Sequence, residues 1–196
     1  MKRQQGLSLI ELMVALLISS LLMLGVTEIF SRSFFADRAN TELTYMQESG
    51  RLALELIGQD ARRAGFQGCV PSDTVTSFDS GTLPANAVAD GADGSLSFTY
   101  LPPGNDGCGT GEAMTTITYA TSNNSATCAG ATPCITRNGV AILNNTAFDF
   151  TFLPDNNPVI ATAIEVTITV SDSRTAGERL NPRTFSATYE LRNRLQ

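Results

Sequence analysis

The 196-residue chain has no histidine and no tryptophan. Without histidine, the side chain that most often serves as general base near neutral pH is missing. No serine or cysteine stands in a nucleophile motif either, so catalysis has little to build on. Basic side chains are scarce, with 13 Lys and Arg against 19 Asp and Glu and a formal charge of −6. That deficit argues against direct nucleic-acid binding, which needs clustered Lys or Arg. Arg62-Arg63 and the Arg192/Arg194 pair are the best local candidates for such a patch, and solvated helix or strand ends explain them more simply. No proline precedes Pro71, so no residue of that type breaks a helix in the first third of the chain.

What is present begins at the N-terminus. Met1-Lys2-Arg3-Gln4-Gln5-Gly6 is a short basic leader, followed at once by a mainly apolar run from Leu7 to Phe30. Ser19, Ser20, Gly25 and Thr27 interrupt that run only lightly, and Glu28 lies at its far edge. Its 24 residues make about 36 Å of helix, enough to span a bilayer. The run is too long for an ordinary cleaved secretory signal and lacks a small-x-small site after it. Lys2 and Arg3 place the N-terminus in the cytoplasm by the positive-inside rule, so residues beyond about 31 face the other side. Glu11 is the anomaly. A carboxylate inside a membrane-length apolar segment costs a few kcal/mol or more and reads as functional.

Gly6-Leu7-Ser8-Leu9-Ile10-Glu11-Leu12, behind a basic leader, resembles the cleavage segment of type IV prepilins and type II secretion pseudopilins. The resemblance implies that a prepilin peptidase cuts between Gly6 and Leu7 and methylates the new amine of Leu7, where the family more often has Phe. It also implies that Glu11 pairs with the N-terminal amine of a neighbouring subunit during assembly. Two opposite charges that meet in low dielectric offset each other's desolvation. The plainer alternative is a signal anchor in which Glu11 only complements the first helical turn.

The helical period continues past the apolar run. Leu43, Met46, Gly50, Ala53, Ile57, Ala61 and Ala64 recur at spacings of three and four and draw one apolar stripe. Glu48, Arg51, Glu55 and Arg62 fall on another side, with Glu48–Arg51 and Arg51–Glu55 at supporting intervals. One helix from about Leu7 to Ala64 is expected, stopped by Gly65, with Gly25, Gly50 and Gly58 as points where it can bend or melt. Within it, residues 47–69, "QESGRLALELIGQDARRAGFQGC", are similar to the PilW group of minor pilins. The pseudopilin J component of type II secretion is the nearest competitor, and the closing Gly68-Cys69 favours PilW.

Residues 70–95 carry little pattern and read as a loop region with one short element at most. Alternating segments follow at Leu96–Tyr100, Thr116–Tyr119, Phe148–Phe152, Ile164–Val170 and Phe185–Leu191, each a strand with one buried and one wet face. Pro154-Asp155-Asn156-Asn157-Pro158 is a turn signal. The expected fold is α+β and type IV pilin-like, a long N-terminal helix packed against an antiparallel β-sheet head. Its parts are a leader at 1–6, a transmembrane and assembly helix at 7–30, an amphipathic continuation at 31–65 and an exported head at 66–196.

Cys69, Cys108, Cys128 and Cys134 are an even set for an oxidising compartment and allow three pairings. The short loop between Cys128 and Cys134 favours that bridge, with Cys69–Cys108 as the second. No cofactor or metal is expected. The cysteine spacing is irregular for zinc and no histidine completes a set. Asp90-Gly91-Ala92-Asp93-Gly94 offers oxygen ligands without the EF-hand spacing, and Gly107-Cys108-Gly109-Thr110-Gly111 lacks the lysine of a phosphate loop.

The resemblance implies a non-enzymatic minor pilin that helps initiate type IV pilus assembly and sits at or near the tip. Its partners would be prepilin peptidase, other minor pilins, the major pilin, the inner-membrane assembly platform and a tip adhesin. It would lie in the inner membrane with a periplasmic head before assembly and at the cell surface afterwards. A secretion pseudopilin and a surface-binding module, using the loops at 70–95 and 102–114, are the alternatives. Intact mass of the membrane-extracted protein tests the cleavage directly: the mature chain is expected to begin at Leu7, and any other start rejects the prepilin resemblance.

Overall fold

A computed structural model describes residues 8–66, 87–101, 114–174 and 179–193. Among the described residues, one helix, α1, runs over Leu9–Arg63, and eight strands follow it. They are β1 (Val88–Asp90), β2 (Leu96–Tyr100), β3 (Thr115–Ser122), β4 (Cys134–Arg137), β5 (Val140–Asn144), β6 (Thr146–Leu153), β7 (Ala163–Val170) and β8 (Arg183–Glu190). The architecture is the α+β, type IV pilin-like arrangement of a long apolar N-terminal helix and antiparallel sheets. The chain separates into two compact units, Met1–Leu43 and Thr44–Gln196, so the C-terminal part of α1, from Thr44 on, belongs to the same unit as every strand.

In the first unit the described residues from Leu9 onward are helix. Every residue from Leu9 to Phe30 is exposed. The polar residues within the run satisfy themselves locally: the hydroxyls of Ser19, Ser20 and Thr27 donate to carbonyls three or four residues back, at 2.8–3.0 Å. That is how such groups are tolerated in a lipid-facing helix.

In the second unit the apolar stripe turns inward. Met46, Gly50, Ala53, Ile57 and Ala61 are buried on α1, with Ala64 just beyond its end, while Leu43 stays half-exposed. Glu55 takes hydrogen bonds from Gln59 and Arg62 rather than from Arg51. The helix ends as its glycine requires, with Gly65 at φ 79° in the left-handed region.

The strands form two sheets, where the sequence pattern suggests one. The first has the order β1-β2-β3-β4-β5 and the second β6-β7-β8, all antiparallel. The division has a local cause. β4 and β5 are joined by Asn138-Gly139 with φ of 53° and 79°, the two positive values a type I′ hairpin needs. That hairpin occupies the edge of β3 that β2 leaves open. Asn145, at φ 52°, then redirects the chain into β6. β6 therefore meets β3 through a side chain: the Thr121 hydroxyl accepts from Phe148 N at 3.1 Å and donates to Phe148 O at 3.4 Å.

The alternating residues behave as the pattern requires. Leu96, Phe98, Tyr100, Ile117 and Tyr119 on the first sheet, and Phe148, Phe152, Ile164, Val166, Ile168 and Val170 on the second, all point into the core. On β8, Phe185 and Tyr189 are partly buried because they lie against the helix.

Gly50 and Gly58 are not bends. α1 runs through both, and each makes room for an aromatic ring. A Cβ on Gly50 would stand 2.4 Å from a ring carbon of Phe185, and one on Gly58 2.4 Å from Tyr189 Cε1, whereas a Cβ on Gly25 would meet nothing within 4 Å. Tyr189 is also pinned, because its hydroxyl donates to Leu54 O at 2.6 Å. Gly58→Ala is therefore expected to destabilise a soluble fragment of residues 31–196 by about 1–3 kcal/mol through overpacking. That loss outweighs the roughly 1 kcal/mol that alanine gains in helix propensity. Gly50→Ala should cost less, since Phe185 has no hydroxyl bond to hold it. Urea unfolding of the two variants measures the order, and a Gly58→Ala fragment as stable as the parent would contradict this packing.

Candidate functional site

Two carboxylates, one near each end, are the candidate sites on α1. Ser8 opens the helix, its carbonyl accepting from Glu11 N at 3.0 Å and Leu12 N at 3.2 Å. Glu11 lies in the first turn, exposed, and among the described residues its carboxylate takes no hydrogen bond or ion pair. An acid there complements the helix dipole, yet it stands in an apolar surface with no opposite charge supplied by the described part of the chain. Gly6 and Leu7, the expected cleavage site, lie outside the described residues, as do Cys69, Cys108, Arg194 and the 107–111 glycine run.

The second carboxylate, Asp60, is the one that sequence reasoning left without a role. It is 4% exposed. Oδ1 accepts from the Tyr100 hydroxyl at 2.6 Å, and Oδ2 from the Tyr119 hydroxyl at 2.6 Å and from Arg137 Nη2 and Nε at 3.1 and 3.3 Å. Arg137 Nε also donates to the Tyr119 hydroxyl at 3.2 Å. One helical carboxylate thus holds β2, β3 and β4 at once. Burial first, and the adjacent Asp60 carboxylate second, push the Tyr100 and Tyr119 phenols above their ordinary values. For Arg137, desolvation works against the charge, but the bonds it donates to Tyr119 and Asp60 outweigh it and raise the value. Both phenols therefore stay protonated as donors. The stability they supply is intact at neutral pH and is lost only as pH climbs through their raised values.

The signal for this cluster was in the chain. Asp60 falls between Ile57 and Ala64 at helical spacing, a charge set into the apolar stripe. Tyr100 and Tyr119 stand on the inward faces of their strands, where a phenol needs a partner. The helix end is closed by further bonds: Gly65 N donates to Thr99 O at 2.9 Å, and Asn193 Nδ2 to Arg62 O and Ala64 O at 3.2 and 3.1 Å.

A third carboxylate, Asp172, is buried at the end of β7 and holds the connection to β8. It accepts from Arg174 Nη2 at 2.7 Å, from Arg174 Nε and N, and from Leu180 N. Burial alone would raise it, but these bonds hold its carboxyl well below the usual carboxylate range. Its contribution is present above the ordinary carboxylate value and is lost as pH falls through the depressed one.

Of the remaining sequence candidates, Cys128 and Cys134 are joined in a disulfide, with both residues fully buried. Arg62 lies over the Tyr189 ring at 5.8 Å and pairs with Glu55 at 3.4 Å, while Arg192 pairs with Glu190. These arginines serve the head's own surface. Asp93 closes a turn by accepting from Ser95 N at 3.1 Å, and the bond from the Ser95 hydroxyl holds its carboxyl below the ordinary value. Among the described residues, no group of three or more His, Cys, Asp or Glu is placed to hold a metal ion.

Asp60→Ala is expected to destabilise the head by about 3–5 kcal/mol, since it strands a buried network from its acceptor. Tyr119→Phe and Tyr100→Phe should each cost about 1–2 kcal/mol, the scale of one buried hydrogen bond to a charge. Denaturant unfolding of the single and double variants checks this. Losses that simply add would show that the three groups do not act as one network.

Comparison with known proteins bears on the N-terminal end. A family model of the prokaryotic N-terminal methylation motif matches residues 1–27. No curated protein and no solved structure matches the chain. The motif, on a helix that exposes its apolar residues, supports a membrane-anchored, single-pass, type IV pilin-like prepilin. It implies a structural protein of the pilin or pseudopilin kind, processed by prepilin peptidase and assembled with other pilins.

Proposed function

We propose that the chain is a minor pilin of the PilW kind, which initiates type IV pilus assembly and is incorporated at or near the tip without enzymatic activity. The observation that carries this reading is Glu11, inside a methylation motif and on an apolar helix, with no counter-charge among the described residues. The resemblance of residues 47–69 to PilW proteins supports the narrower assignment. Several of its residues do specific work in the head: Gly50 and Gly58 admit the rings of Phe185 and Tyr189, and Asp60 binds three strands. In this reading residues 1–6 are the leader, 7–30 the membrane and assembly helix, 31–65 its continuation and 66–196 the exported head. The peptidase cuts after Gly6 and methylates Leu7, and Cys69 and Cys108 form a second disulfide.

Glu11 then meets the Leu7 amine of a neighbour. Lys2 is the only lysine in the chain, so after leader removal the Leu7 amine is the one amine within residues 7–196. A zero-length carbodiimide reagent that joins amines to carboxylates is therefore expected to link this amine to a neighbouring subunit in isolated pili, and Glu11 to a neighbour's amine.

In a deletion strain, Glu11→Ala should leave cleavage nearly unchanged, abolish the Glu11 cross-link and lower the amount of sheared pili more than it lowers cellular protein. Glu11→Gln should be partly tolerated. Normal piliation with Glu11→Ala at native expression would reduce the carboxylate to a helix-end role. A deletion that spares pili and stops protein export would assign the chain to secretion instead.

A further inference from the structure

The apolar run is read as ending at Phe30, yet α1 carries two more exposed phenylalanines one turn further on. We infer that Phe30, Phe34 and Phe35, with Arg32 and Arg38, form a belt that seats α1 in the headgroup layer of a phospholipid membrane. The membrane contact would then reach about two turns beyond the apolar run. This inference rests on the membrane-anchor reading and goes beyond it.

The argument begins with length. Leu9–Glu28 makes roughly 30 Å of helix, the thickness of the hydrocarbon core. Phe30 to Phe35 then covers about 7.5 Å, the depth of one interfacial layer. Their exposures, 75%, 48% and 52%, leave about half or more of each residue open, with neighbours on α1 itself covering the rest. Glu28, at the core boundary, is neutralised by Arg32 Nη2 at 2.7 Å, which lowers the cost of a carboxylate there. Arg38 lays its guanidinium over the Phe34 ring at 4.6 Å from the centroid, putting a cation at the outer limit of the aromatic layer.

The fan of the rings identifies the occupant. At about 100° per residue, Phe30 and Phe34 stand roughly 40° apart and Phe35 roughly 100° further round. Phe34 and Phe35 meet edge to face, with centroids 6.3 Å apart. A single partner helix would be met by a narrow seam of residues at heptad spacing. Rings spread through about 140° suit a medium that surrounds the helix, as lipid does. The charges of Glu28, Arg32, Asp37 and Arg38 balance, so the belt seats by its rings and not by attraction to anionic lipid. Interfacial amphipathic helices set Phe, with Trp and Leu, at the boundary of headgroups and acyl chains, and Arg38 over Phe34 supplies the polar side that a phenylalanine ring lacks.

The chain's lack of tryptophan makes the test clean. The full chain is reconstituted at high dilution into phosphatidylcholine vesicles whose lipids carry bromine either near the headgroup or deep in the acyl chain. Single-tryptophan variants Ile18→Trp, Phe34→Trp, Phe35→Trp and Tyr45→Trp are compared. Ile18→Trp should lose most emission to deep bromine, Phe34→Trp and Phe35→Trp to shallow bromine, and Tyr45→Trp little to either. Replacing part of the lipid with phosphatidylglycerol should leave these losses unchanged.

If Phe34→Trp and Phe35→Trp escape quenching as Tyr45→Trp does while Ile18→Trp is quenched, the belt is overturned and the anchor stands. If Ile18→Trp also escapes, the anchor reading itself fails. Shielding of positions 34 and 35 from bromine that grows with the protein-to-lipid ratio would give these rings to a neighbouring subunit, and strong dependence on anionic lipid would overturn the aromatic basis.

Discussion

The head depends on one buried carboxylate. Asp60 sits on the last turns of α1 and receives four hydrogen bonds from side chains on β2, β3 and β4. A carboxylate taken out of water is costly unless its lone pairs are filled. Here the filling groups come from strands separated from it by 40 to 77 positions in sequence. The network forms only when the first sheet is assembled, and once formed it fixes where the helix stands along that sheet. Arg137 keeps about a third of its side chain in contact with water, so the charge balance is reached without burying a whole ion pair.

The second sheet grips the same helix by a different means. Phe185 and Tyr189, four residues apart on β8, enter the spaces left by Gly50 and Gly58, eight residues apart on α1. Strand rise exceeds helix rise by about a factor of two, so these two spacings span similar lengths and the rings match the glycines. A glycine inside a helix ordinarily weakens it. At these two positions the cost is offset by aromatic surface that no other residue would admit.

Much of this was legible in the chain. The helix followed from a stripe at spacings of three and four, and its stop from Gly65. Five strands followed from period-two alternation, because β2, β3, β6 and β7 each bury residues of one face and β8 half-buries its own against the helix. β4 escaped because it is buried on successive residues rather than alternate ones, with a register shift between Ile135 and Thr136 that destroys the period. β5 is short and mostly half-exposed, so it shows no clear alternation. Asn138-Gly139 was nevertheless a hairpin signal that would have found both. The Asp60 network was hidden for another reason: alternation identifies which face is inside but not which polar atoms meet there. Only the combination of a charge in an apolar stripe with two inward tyrosines carries that information.

Glu11 and Asp60 are the same chemistry under opposite conditions. Asp60 is buried and its oxygens are occupied by this chain's own donors, so nothing remains for a partner. Its role is confined to the fold. Glu11 lies on an apolar helix where desolvation would be just as costly, and no donor of the described chain reaches it. The two can coexist on one helix because folding provides for one and leaves the other open. An amine that arrives at Glu11 in low dielectric gains an interaction that water would otherwise screen. In the proposed reading, the carboxylate left open to another chain lies at the membrane end of this helix, far in sequence from the residues that hold the head. A change at Asp60 then acts on the head without touching Glu11, and a change at Glu11 leaves the bonds of Asp60 in place.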